Sequence, residues 1–164
     1  MNGDAIAALA RNWIGTPYRH QASLKGVGCD CLGLVRGVWR EALGPEPQAV
    51  PAYSPDWAEA GLREDLLEAA HQHMIARDTG WFEAGDALLF RWRAHLPAKH
   101  AGIAVSRTRM VHAQEGAAVC EVAISTWWRR HLAGAFAFPL SSPLVSWERA
   151  ARSAGRGGIA NSQA

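Results

Sequence analysis

The chain has 164 residues, 49% of them hydrophobic and 20% charged, with a formal charge of +2. One domain of this size buries roughly 70% of its unfolded surface. Its 17 basic and 15 acidic residues are scattered, which excludes the basic stripe a nucleic-acid partner needs.

Three cysteines cannot all pair, so a disulfide framework is not expected. Cys29 and Cys31 are also too close for an easy unstrained bridge. No stretch reaches the ~20 apolar residues of a membrane span. Residues 1–15 hold Asp4 and one basic residue, Arg11, with an interrupted apolar run. That is not the pattern of a secretory signal, and synthesis in a reducing cytoplasm is expected.

In chain order, Ile6, Leu9, Ala10 and Trp13 follow helical spacing, with Asp4 as the expected cap and Gly15 as the stop. Residues 16–28 read as a loop. A second helix is expected over residues 31–43, with Leu34, Val35, Val38, Trp39 and Ala42 on one face and Gly44-Pro45 ending it. Four prolines in residues 45–55 predict an extended surface crossing. Helix returns over residues 56–74, broken near Gly61, with Leu62, Leu66, Leu67 and Ala70 buried.

The pattern then changes period. Residues 86–92, 100–106, 109–113, 119–124 and 135–140 are short strand-like runs between turn residues, and residues 125–132 read as a short helix. Helices followed by a strand meander predict an α+β domain, with N-terminal helices packed on a C-terminal antiparallel sheet. The domain is expected to cover residues 1–140. Residues 141–164, rich in Ser, Ala, Gly and Arg, read as a flexible or docking tail.

Cys31 carries the strongest chemical signal. It lies in Gly28-Cys29-Asp30-Cys31-Leu32-Gly33, where a glycine-rich turn meets a helix start. Unpaired N–H groups and the helix dipole favour a thiolate there, and the thiolate is the nucleophile. Asp30 suits the cap position, and Gly33 permits a close backbone approach. Cys29 is less well placed, and Cys120 in its strand-like run reads as core.

His100 sits at the start of one strand-like run and His112 at the end of the next. If those strands are neighbours, His112 fixes the tautomer and ring angle of His100. That completes a nucleophile, base and orienter. His20, His71, His73, His95 and His131 read as solvated loop or helix-face residues. A zinc site built on Cys29-x-Cys31 and His71-x-His73 is disfavoured. Structural zinc uses Cys-x₂₋₄-Cys, and two helical positions separated by one residue diverge by about 200°. No metal or cofactor is expected.

Several ordered motifs resemble the NlpC/P60 family of papain-like peptidases, which cut the peptide stems of bacterial peptidoglycan. They are Gly15-Thr16-Pro17-Tyr18, Asp30-Cys31-Leu32-Gly33-Leu34-Val35, Gly85-Asp86-Ala87-Leu88-Leu89-Phe90, His100-Ala101-Gly102-Ile103 and Val111-His112-Ala113. The resemblance implies the papain-like NlpC/P60 fold, with Cys31 as nucleophile, His100 as base and His112 as the polar third residue. It also places Tyr18 and Asp30 at the oxyanion and substrate-binding wall. The bond implied is γ-D-glutamyl–diamino acid. Three positions depart from the family pattern: Leu32 replaces Ser, Arg19-His20 replaces Gly-Gly, and Ala104 replaces Tyr.

A narrower resemblance is to NlpC/P60 proteins of phage and gene-transfer-agent tail clusters. Gly28-Cys29-Asp30-Cys31-Leu32-Gly33, Gly44-Pro45-Glu46-Pro47, Tyr53-Ser54-Pro55-Asp56-Trp57, Pro97-Ala98-Lys99-His100 and Trp127-Trp128-Arg129-Arg130 carry it. It implies tail-tip or baseplate partners and action in the target cell's periplasm, reached aboard the particle rather than by secretion. Two alternatives stand beside the peptidase. One is a structural tail-tip component with little activity; the other is an amidase or acyltransferase on the same fold.

Overall fold

The computed structural model describes residues 1–54 and 61–140. Helix α1, Gly3–Arg11, is capped by Asn2, whose side chain accepts from Ala5 N at 3.0 Å. Asp4, the expected cap, lies instead in the first turn. There its charge still suits the positive helix end. Gly15 turns the chain away at φ 90° and donates to Val119 O at 2.9 Å. Trp13, just past the helix, is buried over Gly37, where an added Cβ would stand 2.0 Å from the indole ring.

Within the expected loop lies a small hairpin, β1 (Ser23–Leu24) with β2 (Gly28–Cys29). Strands of two residues leave no alternation to read. Helix α2 runs Cys31–Leu43 between Asp30 and Gly44, as expected. Leu34 and Val38 are buried, and Val35, Trp39 and Ala42 pack beside them. Helix α3 is Asp65–His73. The first residues of its expected span, 56–60, lie outside the described residues, as does the expected tail, 141–164. Leu62 is off the predicted stripe: it is 67% exposed at φ 51°, because the chain leaves helical geometry before Glu64.

The remaining strands are β3 (Ile75–Arg77), β4 (Ala87–Phe90), β5 (His100–Ala104), β6 (Arg109–His112), β7 (Cys120–Ala123) and β8 (Leu132–Ala137). They form one sheet in the order β3-β8-β4-β5-β6-β7, and every pairing is antiparallel. The class is α+β. Three details differ from expectation, the first being that β8 starts at Leu132, three residues before the expected run. β3 is three exposed residues with no apolar alternation. Cys120 is half-buried on the edge strand rather than in the core.

Strand alternation divides the sheet faces. Leu89 and Ala101 pack with Leu32 and Val35, and Ile103 and Val111 with Leu34 and Val38, so these four strand residues face α2. Leu88, Phe90, Ala104 and Met110 pack on the opposite face. His100 pairs directly with Phe90 and shares that second face. The chain reaches β8 from β7 by crossing β6, β5 and β4, and helix α4 (Thr126–His131) forms that crossing.

Candidate active site

Cys31 is the first residue of α2. Asp30 holds that end: its Oδ1 accepts from Gly33 N at 2.7 Å, the expected cap. Gly33 is required on steric grounds, since an added Cβ would lie 1.9 Å from Ala22 O. Backbone bonds from Arg19 N to Cys29 O (3.0 Å) and Cys29 N to Pro17 O (3.1 Å) lay the Pro17-Tyr18 segment along β2. Tyr18 therefore stands beside Cys31. The two share a cleft of about 550 Å³ with Asp30, His20, Tyr53 and His100.

Asp30 has a second task. Its Oδ2 accepts from Gln21 N at 2.8 Å and from the Tyr53 hydroxyl. His20 Nδ1 stands 3.9 Å from the same oxygen, and His20 Nε2 donates to Tyr53 O at 2.7 Å. Gln21 is held at φ 64°, left-handed for a non-glycine residue. One buried carboxylate thus fastens the helix start, the Tyr18 loop and the proline-rich segment together. An anion so engaged cannot itself stabilise an oxyanion, although Asp30 does stand on the cleft wall.

His100 and His112 come from adjacent strands at one end of the sheet. Their Nε2 and Nδ1 atoms lie 3.0 Å apart, and both residues are buried. With Nε2 of His100 so engaged, Nδ1 is the nitrogen left for chemistry. Cys31 Sγ donates to Lys99 O at 3.8 Å and receives the Ala101 N–H. The sulfur therefore sits against the backbone on both sides of His100. It arrives from the α2 face, while the imidazole belongs to the other face. Both line the cleft at the sheet end, where β5 begins.

Electrostatics sets the resting protonation. Burial, reinforced by Asp30, pushes the Cys31 thiol up to about 11. The N–H groups of Ala101, Leu32 and Cys31 pull it down, but less. The helix-start contribution expected from the sequence is therefore real and outweighed. Burial, then His112, lowers His100 to about 3. Burial also lowers His112. Both shifts favour a thiol and a neutral imidazole over an ion pair. Burial raises Tyr18 to about 12, so its hydroxyl keeps its proton.

Sequence reasoning missed three groups. His20 is exposed, as its loop position implies, and it also lines the cleft, which the sequence did not signal. The Arg19-His20 departure thus falls on the cleft wall, whereas Leu32 packs beneath it and Ala104 is buried on the far face. Tyr53 carried only the narrower resemblance. Trp92 and Trp128 form an aromatic wall whose rings stand 5.3 and 5.4 Å from the His100 ring. Their signals in the sequence were the count of eight tryptophans and, for Trp128, the Trp127-Trp128-Arg129-Arg130 run. Other histidines are partnered too: His71 meets Phe136 edge-on at 4.9 Å, His73 donates to Gln48 Oε1 at 2.8 Å, and His131 stacks on Trp127 at 3.9 Å. Among the described residues, no three His, Cys, Asp or Glu side chains are grouped to hold a metal, and no helix is long and apolar enough to cross a membrane.

A half-buried thiol at a helix start, beside a strand-borne histidine pair, defines a cysteine–histidine site on an α+β sheet. The NlpC/P60 family model matches residues 15–137, and the chain belongs to the NlpC/P60 family. Solved structures share the fold. The NlpC/p60 domain of the peptidoglycan hydrolase SagA matches with TM-score 0.58 at 24% identity, over 84% of this chain and 100% of that one. A lipoprotein-like NLP/P60 protein from Staphylococcus aureus subsp. aureus Mu50 gives 0.56 at 20% identity, over 85% and 42%. A NlpC/P60 protein from Bacillus cereus ATCC 10987 gives 0.59 at 17%, over 82% and 39%. The chain thus spans under half the length of the two longer proteins. No curated protein matches it.

Proposed function

We propose that this chain is a cysteine peptidase that hydrolyses amide bonds in peptidoglycan peptide stems, between γ-D-glutamate and the diamino acid. Family membership supports the reaction class. One observation carries the assignment: Cys31 and His100 open onto one cleft, with His100 bonded to His112 behind it.

The reaction starts from the neutral pair. His100 Nε2–H donates to His112 Nδ1, leaving Nδ1 of His100 as the base. The thiol proton passes to that nitrogen as sulfur attacks the amide carbonyl. The Cys31 N–H and the Tyr18 hydroxyl donate to the oxyanion, the kind of contact worth ~10²–10³ in rate. Protonated His100 gives its proton to the leaving amine as the C–N bond breaks. A water, deprotonated by His100, then attacks the thioester and releases the acid and the thiol.

The test is mass spectrometry of muropeptides after incubation with purified peptidoglycan. Wild type releases stems cut at the glutamyl–diamino acid bond, and Cys31→Ala releases none. Cleavage retained in Cys31→Ala, or absent from wild type, ends the proposal. The raised thiol pKa favours a second reading, a scaffold with little activity, and inactive wild type would select it.

We further propose that a phage or gene-transfer-agent tail carries the chain, bound to tail-tip or baseplate proteins, to the target periplasm. The runs at residues 44–47, 53–57, 97–100 and 127–130 support this by their resemblance to tail-cluster proteins. Mass spectrometry of purified particles is the check, and particles lacking the chain would refute delivery.

A further inference from the structure

Helix α4 has an unusual position for a helix that buries none of its residues. It lies on the only link from edge strand β7 to β8, with β6, β5 and β4 between. At ~4.8 Å per strand the link spans about 19 Å of sheet, of which six helical residues supply ~9 Å. The path crosses the face that carries His100 and His112. Ser125 Oγ caps the helix by accepting from Trp128 N at 3.5 Å. Arg129 ties it down by donating to Arg107 O at 2.5 Å.

The crossing brings Trp128 onto both imidazoles. Its ring lies 5.4 Å from His100 at 26°, and 5.4 Å from His112 at 88°. The His100 and His112 rings are themselves 90° apart at 5.2 Å. One indole therefore stacks on the first ring and meets the second at a right angle, matching their mutual orientation. Phe90, 4.8 Å away, supports the indole from the sheet. Trp92 lies 5.3 Å from His100 and 6.1 Å from Trp128, so the two indoles share a side rather than sandwiching the imidazole. The opposite approach, toward the cleft and Cys31, stays open.

We propose that Trp128 is a positioning residue: it holds the ring planes of His100 and His112 so that Nδ1 of His100 faces the thiol, and it keeps water off their hydrogen bond. This rests on the peptidase reading. A hydrogen bond fixes where two rings meet but leaves each free to swing about it. A flat neighbour touching both rings removes that freedom. The same apolar contact adds to the burial that keeps both imidazoles neutral. The titratable or charged groups that share the cleft with His100 are Cys31, Lys99, Tyr18, His20, Asp30, Tyr53 and Glu115, and His112 on β6 lies behind it.

The test compares Trp128→Ala, Trp128→Phe and Trp127→Ala in the full chain. Trp127 touches Trp92, Trp128 and His131 and has no ring contact with either imidazole, and it is 47% exposed. In Trp128→Ala, kcat falls about tenfold, a fraction of the ~10²–10⁴ of general-base catalysis. KM stays within about twofold, as for lost alignment rather than lost binding. Phenylalanine restores most of the rate, and Trp127→Ala keeps it. Independently of activity, nitrogen-15 histidine spectra follow the titration of His100. In wild type the ring does not titrate between pH 5 and 8, and in Trp128→Ala it does. An unchanged titration overturns the positioning role even if wild type proves inactive. A Trp128→Phe variant as slow as Trp128→Ala also overturns it. Inactive wild type with a shifted titration would instead remove the peptidase reading and keep the positioning role.

Discussion

Cys31 shows two opposing influences on one sulfur. The helix start supplies N–H groups that stabilise negative charge, and burial beside Asp30 removes more than they give, leaving the thiol near 11. A free cysteine titrates near ~8.5, so at pH 7 Cys31 carries a few-hundred-fold less thiolate. Iodoacetamide should therefore alkylate Cys31 roughly 10²-fold more slowly than free cysteine at pH 7. The rate should climb about tenfold per pH unit toward pH 10. Peptide mapping of the labelled chain reads both quantities. Fast labelling with a plateau near neutral pH would mean a preformed ion pair with His100 instead.

At the scale of elements, two contacts decide where α2 starts and how it sits. Trp13 can pack closely on α2 because position 37 is glycine. Asp30 ties the start of α2 to Gln21 and Tyr53 as well as to Gly33. Asp30→Ala removes a cap worth about 1 kcal/mol and leaves partly buried donors unpaired at about 1–3 kcal/mol more. Its urea midpoint should fall accordingly. Asp30→Asn, which keeps the cap acceptor, should lose about half as much. Equal losses in the two variants would mean that charge, not capping, dominates. The helix limits were readable here because Asp, Gly and Pro act locally through cap and turn chemistry. β1, β2 and β3 were not readable, because strands of two or three residues owe their pairing to partners distant in sequence.

For the whole molecule, the cleft groups give stability a pH window. His100 is lowered from 6.5 to about 3. Between those values the unfolded chain binds more protons, so stability is lost as pH falls below about 6.5. Cys31 is raised from 9.0 to about 11. Above about 9 the unfolded thiol ionises first, and stability is lost as pH rises. Urea midpoints should plateau between these limits and decline on both sides. His100→Gln should flatten the acid limb, and Cys31→Ala the alkaline one, although Tyr18 and Tyr53, both raised by burial, also act there. An acid limb unchanged in His100→Gln would locate the titrating group elsewhere.

The residues alone specified the α+β class and the limits of α2, and they singled out Cys31, His100 and His112, which the fold brings to one end of the sheet. Each of these is encoded by near neighbours: a cap, a glycine turn, an apolar period, or a histidine at a run's edge. The aromatic wall, the neutral resting pair and the Asp30–Tyr53 tie depend on contacts between residues far apart in the chain. Trp128 reaches His100 only because the β7-to-β8 link crosses three strands, and the thiol's protonation depends on how much water that packing removes. Strand order and desolvation are properties of the assembled sheet, with no counterpart in any short stretch of the chain.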